Sequence, residues 1–219
     1  MRCLCILLFC AAFAGADEPK TLMTERGKLL HSEDFNKPPV KEWKVGKGKW
    51  EVVDGVLRGS ELKSDMHGAV MRYLLDFDAI VIQYDFRLDG AKQTTLSINA
   101  PKGHICRVVV NAAGISVRKD QDKKKKEKGE ILGAVKTPIS PGAWHTLVLE
   151  LKGKEMVASL DGKHVAYGTH DAIDVKKANF GLTVAGESAS FKNLRVWEAQ
   201  ANKSWDATRA KLKGRGKGE

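Results

Sequence analysis

The chain has little cysteine and lacks a hydrophobic run long enough to span a bilayer. Three of its four cysteines lie within the first ten residues, and the fourth is Cys106. One cysteine in the remainder excludes an internal disulfide there. The histidines include no His-x-x-x-His pair, and the thiols do not cluster, so a zinc site of ordinary spacing is also excluded. The fold must therefore depend on its hydrophobic core.

Several motifs that hold cofactors or nucleophiles are absent as well. The chain has no Gly-rich phosphate loop and no Gly-x-Ser-x-Gly elbow. It also has no Asp-x-Asp-x-Asp loop of the kind that binds calcium. The sequence therefore predicts no cofactor and no metal ligand, and it leaves calcium binding open.

The first sixteen residues have the pattern of an export signal. Arg2 gives a positive start, residues 4–13 are almost continuously apolar, and Ala14-Gly15-Ala16 precede Asp17. This pattern predicts a Sec-type signal peptide over residues 1–16 and a secreted or periplasmic mature protein. The polar residues 17–28 then predict a mobile leader.

The net charge of +10 is concentrated in two lysine-rich blocks, residues 119–128 and 211–218. Neither block contains the aromatic residues on which single-stranded nucleic acids stack, so no nucleic-acid partner is predicted. One interpretation is a solvated loop and a frayed tail. The other is adhesion of a surface or matrix protein to an acidic polymer or anionic surface, through Lys123–Lys126 and the tail.

Short strand-like runs separated by turn signals cover residues 29–198. Asp54-Gly55 and Asp161-Gly162 each lie between apolar runs, a pattern typical of tight β-hairpins. No long segment before residue 198 has helical periodicity, whereas a basic tail over residues 199–219 can form a short helix. The predicted fold class is all-β, a two-sheet antiparallel β-sandwich over residues 29–198. Cys106, in a run of apolar residues, is predicted to be a core residue.

The longest predicted strand, residues 79–88, has one polar face. Gln83, Asp85 and Arg87 alternate with apolar residues, and Thr95, Ser97 and Asn99 repeat the pattern further along. These side chains are predicted to form one polar strip. Such a strip is either a plain solvent face or a face on which amide, carboxylate and guanidinium groups bind the hydroxyls of a sugar.

An ordered set of motifs resembles the 3-keto-disaccharide hydrolase domain family, a branch of the concanavalin A-like (LamG-like) jelly rolls. The most specific parts are the segment Trp50–Leu57 and the closing strand Phe191–Val196. Where that family carries an Asn-Ser-Gly segment and then a Gly-Tyr-Glu-type segment, this chain has Thr95–Asn99 and Gly103–Arg107, which contain no carboxylate. The resemblance implies a jelly roll that interacts with carbohydrate or polysaccharide on its concave sheet. The further motifs that carry it are Leu29-Leu30, Asp34-Phe35, Trp43, Asp76-Phe77, Gln83–Arg87, Gly142–His145 and Leu160–Lys163.

Two functions follow from the resemblance. The first is glycan binding without strong catalysis, for which the predicted ligand-binding residues are Gln83, Arg87, Ser97, Asn99 and Arg107. The second is cleavage of 3-keto-glycosides, whose acidic C2 proton needs only one base, with Asp85 and His104 as the predicted catalytic residues. For Asp85 a cross-strand ion pair with Arg87 or Arg107 is the alternative, and for His104 a structural role.

Overall fold

The computed structural model describes residues 18–215, so the predicted signal peptide lies outside the described residues. Within that range the chain forms thirteen β-strands, two short 3-10 helices and one α-helix. The strands are β1 (Thr24–Glu33), β2 (Trp43–Lys47), β3 (Lys49–Val53), β4 (Val56–Ser60), β5 (Ala69–Phe77), β6 (Ile80–Ala100), β7 (Gly103–Asn111), β8 (Gly114–Lys119), β9 (Glu130–Lys136), β10 (Trp144–Lys152), β11 (Glu155–Leu160), β12 (His164–Thr169) and β13 (Lys177–Ala201). The 3-10 helices are Lys63–Asp65 and Asp171–Ile173, and the α-helix, α1, is Trp205–Arg215.

Two long strands, β6 and β13, pass through both layers of an antiparallel sandwich. Residues 80–88 of β6 pair with β10 and with residues 188–198 of β13, whereas residues 91–100 pair with β7 and with residues 179–186 of β13. We call the first layer the back sheet; it is completed by β11, β12, β1, β4 and β3. The second layer, the front sheet, is completed by β2, β5, β8 and β9.

Glycines mark the place where both long strands change layer. Gly90 has φ of 84° and Gly186 has φ of 100°, conformations that L side chains rarely adopt. Register shifts between β6 and β13 cluster beside Gly186. Both halves of β6 bury their even-numbered apolar side chains in one core, so the odd-numbered side chains point away from that core on two different faces.

The predicted hairpins and core are confirmed. Asp54 and Gly55 have φ of 52° and 70°, as a type I′ turn requires, and they join β3 to β4. Asp161 and Gly162 have φ of 53° and 66° in the turn between β11 and β12. Cys106 is fully buried in the core, and burial raises the pKa of its thiol to about 12, as suits an inert core residue.

The prediction of a mobile leader over residues 17–28 is wrong for residues 22–28. Thr24 to Lys28 belong to β1, which pairs with the end of β13, and Met23 is buried. The tail contains the expected helix, and its Trp205 is buried against Tyr167. No helix among residues 18–215 has the length and apolar character needed to cross a membrane.

Candidate functional site

The predicted polar strip is divided between the two outer faces of the sandwich. Gln83, Asp85 and Arg87 lie on the back sheet, whereas Ser97 and Asn99 lie on the front sheet. The interpretation of these residues as one ligand face is therefore wrong. Strict alternation along β6 is preserved, but the strand bends around the core between the two groups.

Asp85 is held by neutral neighbours on the back sheet. Its Oδ1 accepts a hydrogen bond of 2.7 Å from the Thr146 hydroxyl, and its Oδ2 accepts one of 2.6 Å from the Asn193 amide. The expected ion pair with Arg87 or Arg107 is not formed, because Arg87 pairs with Asp89 at 2.6 Å and Arg107 pairs with Asp120 at 2.5 Å. Both oxygens of Asp85 are thus engaged in cross-strand contacts.

The other two predicted back-sheet residues are also engaged within the protein. The Gln83 carbonyl accepts a hydrogen bond of 2.8 Å from Arg26, which also lies over the Trp197 ring at 4.7 Å. The Arg87 guanidinium lies over the ring of Trp144 at 4.8 Å. Each of these two side chains therefore already uses a polar group in a contact within the protein.

A buried carboxylate fixes the N-terminal segment across the back sheet. Glu150 is 1% exposed and accepts hydrogen bonds from the backbone N–H groups of Leu22, Met23 and Thr24 and from the Thr24 hydroxyl. Burial raises the pKa of Glu150, and these hydrogen bonds oppose the rise. Met23 also packs with Val157 and Trp205. The segment and α1 therefore cover much of this face.

The front sheet instead carries a cavity of about 820 Å³. Its floor includes Gln93, Arg107 and Val109 of adjacent strands, and the loop between β8 and β9 forms a wall with Lys123–Lys125. His104 lies at its edge, beside the turn that joins β6 to β7. Two of the predicted residues, His104 and Arg107, thus line one cavity with the lysine block.

A chain of amide hydrogen bonds fixes the orientation of His104. The side-chain NH2 of Asn99 donates a hydrogen bond of 2.7 Å to the side-chain Oδ1 of Asn179. The Oδ1 of Asn99 is therefore free to accept a hydrogen bond from His104 Nδ1, at 2.5 Å. Nδ1 therefore carries the proton, and Nε2 has the free lone pair. Burial lowers the pKa of His104, as do the charges of Arg107 and Arg72, while Asp120 opposes them. The site holds a neutral imidazole that can accept a proton.

Arg107 and Asp120 form the charged centre of the cavity. They meet at 2.5 Å, and the Asp120 side chain is only 11% exposed. One Asp120 oxygen and Arg107 Nε are buried without a hydrogen-bond partner among the described residues. Residues 95–99 and 103–107 contain no carboxylate, but the fold brings one here from the end of β8, where the Asp120 N–H donates to the Ile105 carbonyl.

Ser97 lies at the centre of the front sheet beside a residue without a side chain. Gly181 is directly opposite Ser97 on β13, and its carbonyl accepts the Ser97 hydroxyl at 3.3 Å. A Cβ on Gly181 would lie 3.0 Å from that hydroxyl oxygen and 3.1 Å from the Met71 carbonyl. Because Gly181 has no side chain and Ser97 has a small one, little side-chain volume covers the middle of this sheet.

Several residues of this face were not identified from the sequence. Asn179, Arg72 and Arg118 come from β13, β5 and β8, and only long-range strand pairing brings them beside Ser97 and Asn99. A polar residue between apolar neighbours, as in Met71-Arg72-Tyr73, was the available signal. Among residues 18–215, no group of three or more His, Cys, Asp or Glu side chains is arranged to hold a metal ion.

Solved structures with the same fold include carbohydrate-active proteins of low sequence identity. Carbohydrate-binding module CBM66 from Bacillus subtilis is 17% identical with a TM-score of 0.60, over 72% of this chain and 96% of that chain. SCLam, a non-specific endo-β-1,3(4)-glucanase of family GH16, is 14% identical with a TM-score of 0.61, over 84% and 95%. A LamA variant from Z. galactanivorans, in complex with laminaritriose and laminaritetraose, is 12% identical with a TM-score of 0.59, over 80% and 100%. These likenesses confirm the predicted jelly-roll sandwich.

The comparison with curated proteins finds no match. A family model, in contrast, matches residues 31–197, which is most of the chain and almost the whole sandwich. That range contains β2 to β12, nearly all of β13 and every residue of the front cavity named above. The chain belongs to the family of 3-keto-alpha-glucoside-1,2-lyase-like domains.

Proposed function

We propose that this chain is an exported carbohydrate-binding jelly roll and that the glycan binds in the front cavity. The observation that carries the proposal is the cavity itself, where Gln93, His104 and Arg107 project from two neighbouring strands, β6 and β7. Preset amide and guanidinium groups suit the hydroxyl pairs of a sugar. Family membership and the glycan-binding neighbours of the same fold support this choice of ligand.

The back sheet is the less suitable face. Its central polar groups hydrogen-bond to one another, and the N-terminal segment and α1 cover much of its surface. A ligand there would have to displace buried contacts, including the four donors to Glu150. The front cavity requires no such displacement.

Gly103 offers a direct test of the binding face. An added Cβ at Gly103 meets no atom within 4 Å, and the residue lines the cavity. Gly103→Trp should therefore obstruct the cavity without disturbing the fold, whereas Gly103→Ala should not obstruct it. Calorimetric titration with glycans selected on an array should show binding by the parent chain and Gly103→Ala and loss of binding by Gly103→Trp. Equal binding by all three would place the site elsewhere.

His104 supports a second function, the 1,2-elimination of 3-keto-α-glucosides. In that reaction Nε2 would take the C2 proton, which the C3 ketone makes acidic, and Arg107 would stabilise the enolate oxygen. The enolate electrons then form the C1–C2 double bond as the C1–O bond breaks, and the departing oxygen takes up a proton. A neutral imidazole with its proton fixed on Nδ1 is the species this step requires.

The catalytic proposal is tested with a 3-keto-α-glucoside and two variants. His104→Gln should lower the rate at which the enone product appears by about 10²-fold or more, a typical loss for a general base. Asp85→Asn should retain the parent rate, because Asp85 lies on the other face. Loss of activity in Asp85→Asn with retention in His104→Gln would overturn the assignment.

A further inference from the structure

A row of basic residues crosses the front sheet in strand register. Lys44 pairs with Arg72, Arg72 with Gly181, Gly181 with Ser97, Ser97 with Arg107, and Arg107 with Arg118. Directly paired residues project from the same face of a sheet. At about 4.8 Å per strand, Arg72 and Arg107 stand roughly 14 Å apart at the backbone, with only the small Gly181 and Ser97 between them.

In two of the strand pairs that this row crosses, like charges lie directly opposite each other. Lys44 faces Arg72 at one end, and Arg107 faces Arg118 at the other. Such cross-strand pairs are unfavourable for the free protein. Asp120 neutralises Arg107, whereas Arg118 has a neutral contact from its Nε to the Ser116 hydroxyl at 2.9 Å. Among the described residues, no carboxylate lies within ion-pair distance of Lys44, Arg72 or Arg118.

Other arginines of the sandwich have partners within the protein. Arg195 and Arg26 contact Glu18, Arg87 contacts Asp89, and Arg209 contacts Glu155. The basic row therefore brings more positive than negative groups together at close quarters. Repulsion of this kind is relieved when an anion binds.

The cavity beside the row has the same sign of charge. Seven basic and three acidic side chains line it. Two of the three acids are already engaged, since Asp120 pairs with Arg107 and Asp122 accepts the backbone N–H groups of Lys124 and Lys125. Burial is the main cause of the lowered pKa of His104, and the charges of Arg107 and Arg72 add to it against the opposing charge of Asp120.

We infer that the front cavity selects glycans with an anionic substituent, a carboxylate or a sulfate, which the basic row of Lys44, Arg72, Arg107 and Arg118 recognises. This inference rests on the proposed function, because it names the class of sugar for that same site. Arginine suits both substituents, since its planar fork donates two parallel hydrogen bonds to a pair of oxygens. The uncharged side chain of Gln93, which lines the cavity, would contact the ring hydroxyls.

Three disaccharides that differ at one position test the inference by calorimetric titration. They end in glucuronate, in glucose and in glucose 6-sulfate. We expect one of the two anionic sugars to bind at least about tenfold more tightly than the neutral sugar, as one charge-assisted contact allows. The tighter of the two identifies the substituent. Arg72→Gln should reduce the anionic-to-neutral affinity ratio about tenfold, and Lys163→Gln, an exposed lysine of the β11–β12 turn, should not change it.

The outcomes separate the inference from the proposed function. Equal affinity for all three sugars would overturn the inference and leave glycan binding intact. A preference for anions that survives in Arg72→Gln but disappears when Lys123 to Lys126 are replaced by Gln would also overturn it, in favour of adhesion by the loop. Absence of binding to these sugars and to every glycan on an array, by a chain with normal circular dichroism, would overturn both.

Discussion

Tyr84 should be replaceable by Phe with a gain in stability. Its side chain is fully buried between Phe86 and Phe191, and its hydroxyl has no hydrogen-bond partner among the described residues. An unpaired buried hydroxyl costs about 1–3 kcal/mol. Removing one oxygen leaves a void worth only about 0.3 kcal/mol at the usual cost per unit volume. Tyr84→Phe should therefore stabilise the fold by about 1 kcal/mol and raise Tm by about 2–4 °C.

The same chemical change at Tyr167 is the matched control. The Tyr167 hydroxyl donates to the Glu155 carboxylate at 2.5 Å, and that carboxylate also accepts from Trp205. Tyr167→Phe removes a hydrogen bond to a charged acceptor, so it should destabilise the fold by about 1–2 kcal/mol. Urea unfolding followed by tryptophan fluorescence measures both variants. If Tyr84→Phe lost as much stability as Tyr167→Phe, the buried hydroxyl of Tyr84 would have to be paired, and the reasoning would fail.

Three further predictions concern the site, the N-terminal segment and the core. The rate of elimination should fall on acidification with a midpoint below about pH 6.5, the ordinary pKa of histidine, because burial lowers the pKa of His104; a pH–rate profile with a midpoint above 6.5 would contradict this. Burial raises the pKa of Glu150 in the folded chain, so its contribution to stability is complete below the unfolded pKa of about 4.3 and declines as pH rises through the higher folded value. Urea unfolding at pH 4 and pH 7 should accordingly show the parent losing stability relative to Glu150→Gln, and a parallel response would contradict the linkage. Phe86→Ala should cost about 3–5 kcal/mol, since Phe86 is fully buried in the core; an unfolding midpoint near that of the parent would show that the core repacks.

Polar–apolar alternation and turn motifs were sufficient to predict the two layers of the sandwich, but not the N-terminal segment that packs at the edge of one layer. Alternation along residues 80–88 identifies the buried side of β6, and the Asp-Gly pairs identify two hairpins. The ordered structure of residues 22–28 could not be predicted, because Glu150, which binds the backbone of Leu22 and Met23, lies more than a hundred residues away in the sequence. No local signal marks a polar segment that a distant carboxylate will bind.

The polar strip shows why alternation alone could not identify the site. The two-residue alternation shows which side chains point away from the core, but it does not show where a strand of 21 residues bends. Gly90 marks the bend, and a single glycine within a strand has several meanings. The sequence therefore grouped Asp85 with Asn99, although the fold places them on different sheets.

The two outer faces have similar residue types, so composition does not separate a structural face from a binding face. The difference lies in which polar groups already have partners. On the back sheet, Asp85 and Gln83 use cross-strand and terminal contacts, and these contacts stabilise the sandwich. On the front sheet, His104 retains a free ring nitrogen and Arg72 has no acidic partner among the described residues, although such groups add nothing to stability by themselves. Groups that are positioned by a rigid sheet and left unpaired are the ones that can bind a ligand; here His104 lines the front cavity and Arg72 lies on the same sheet.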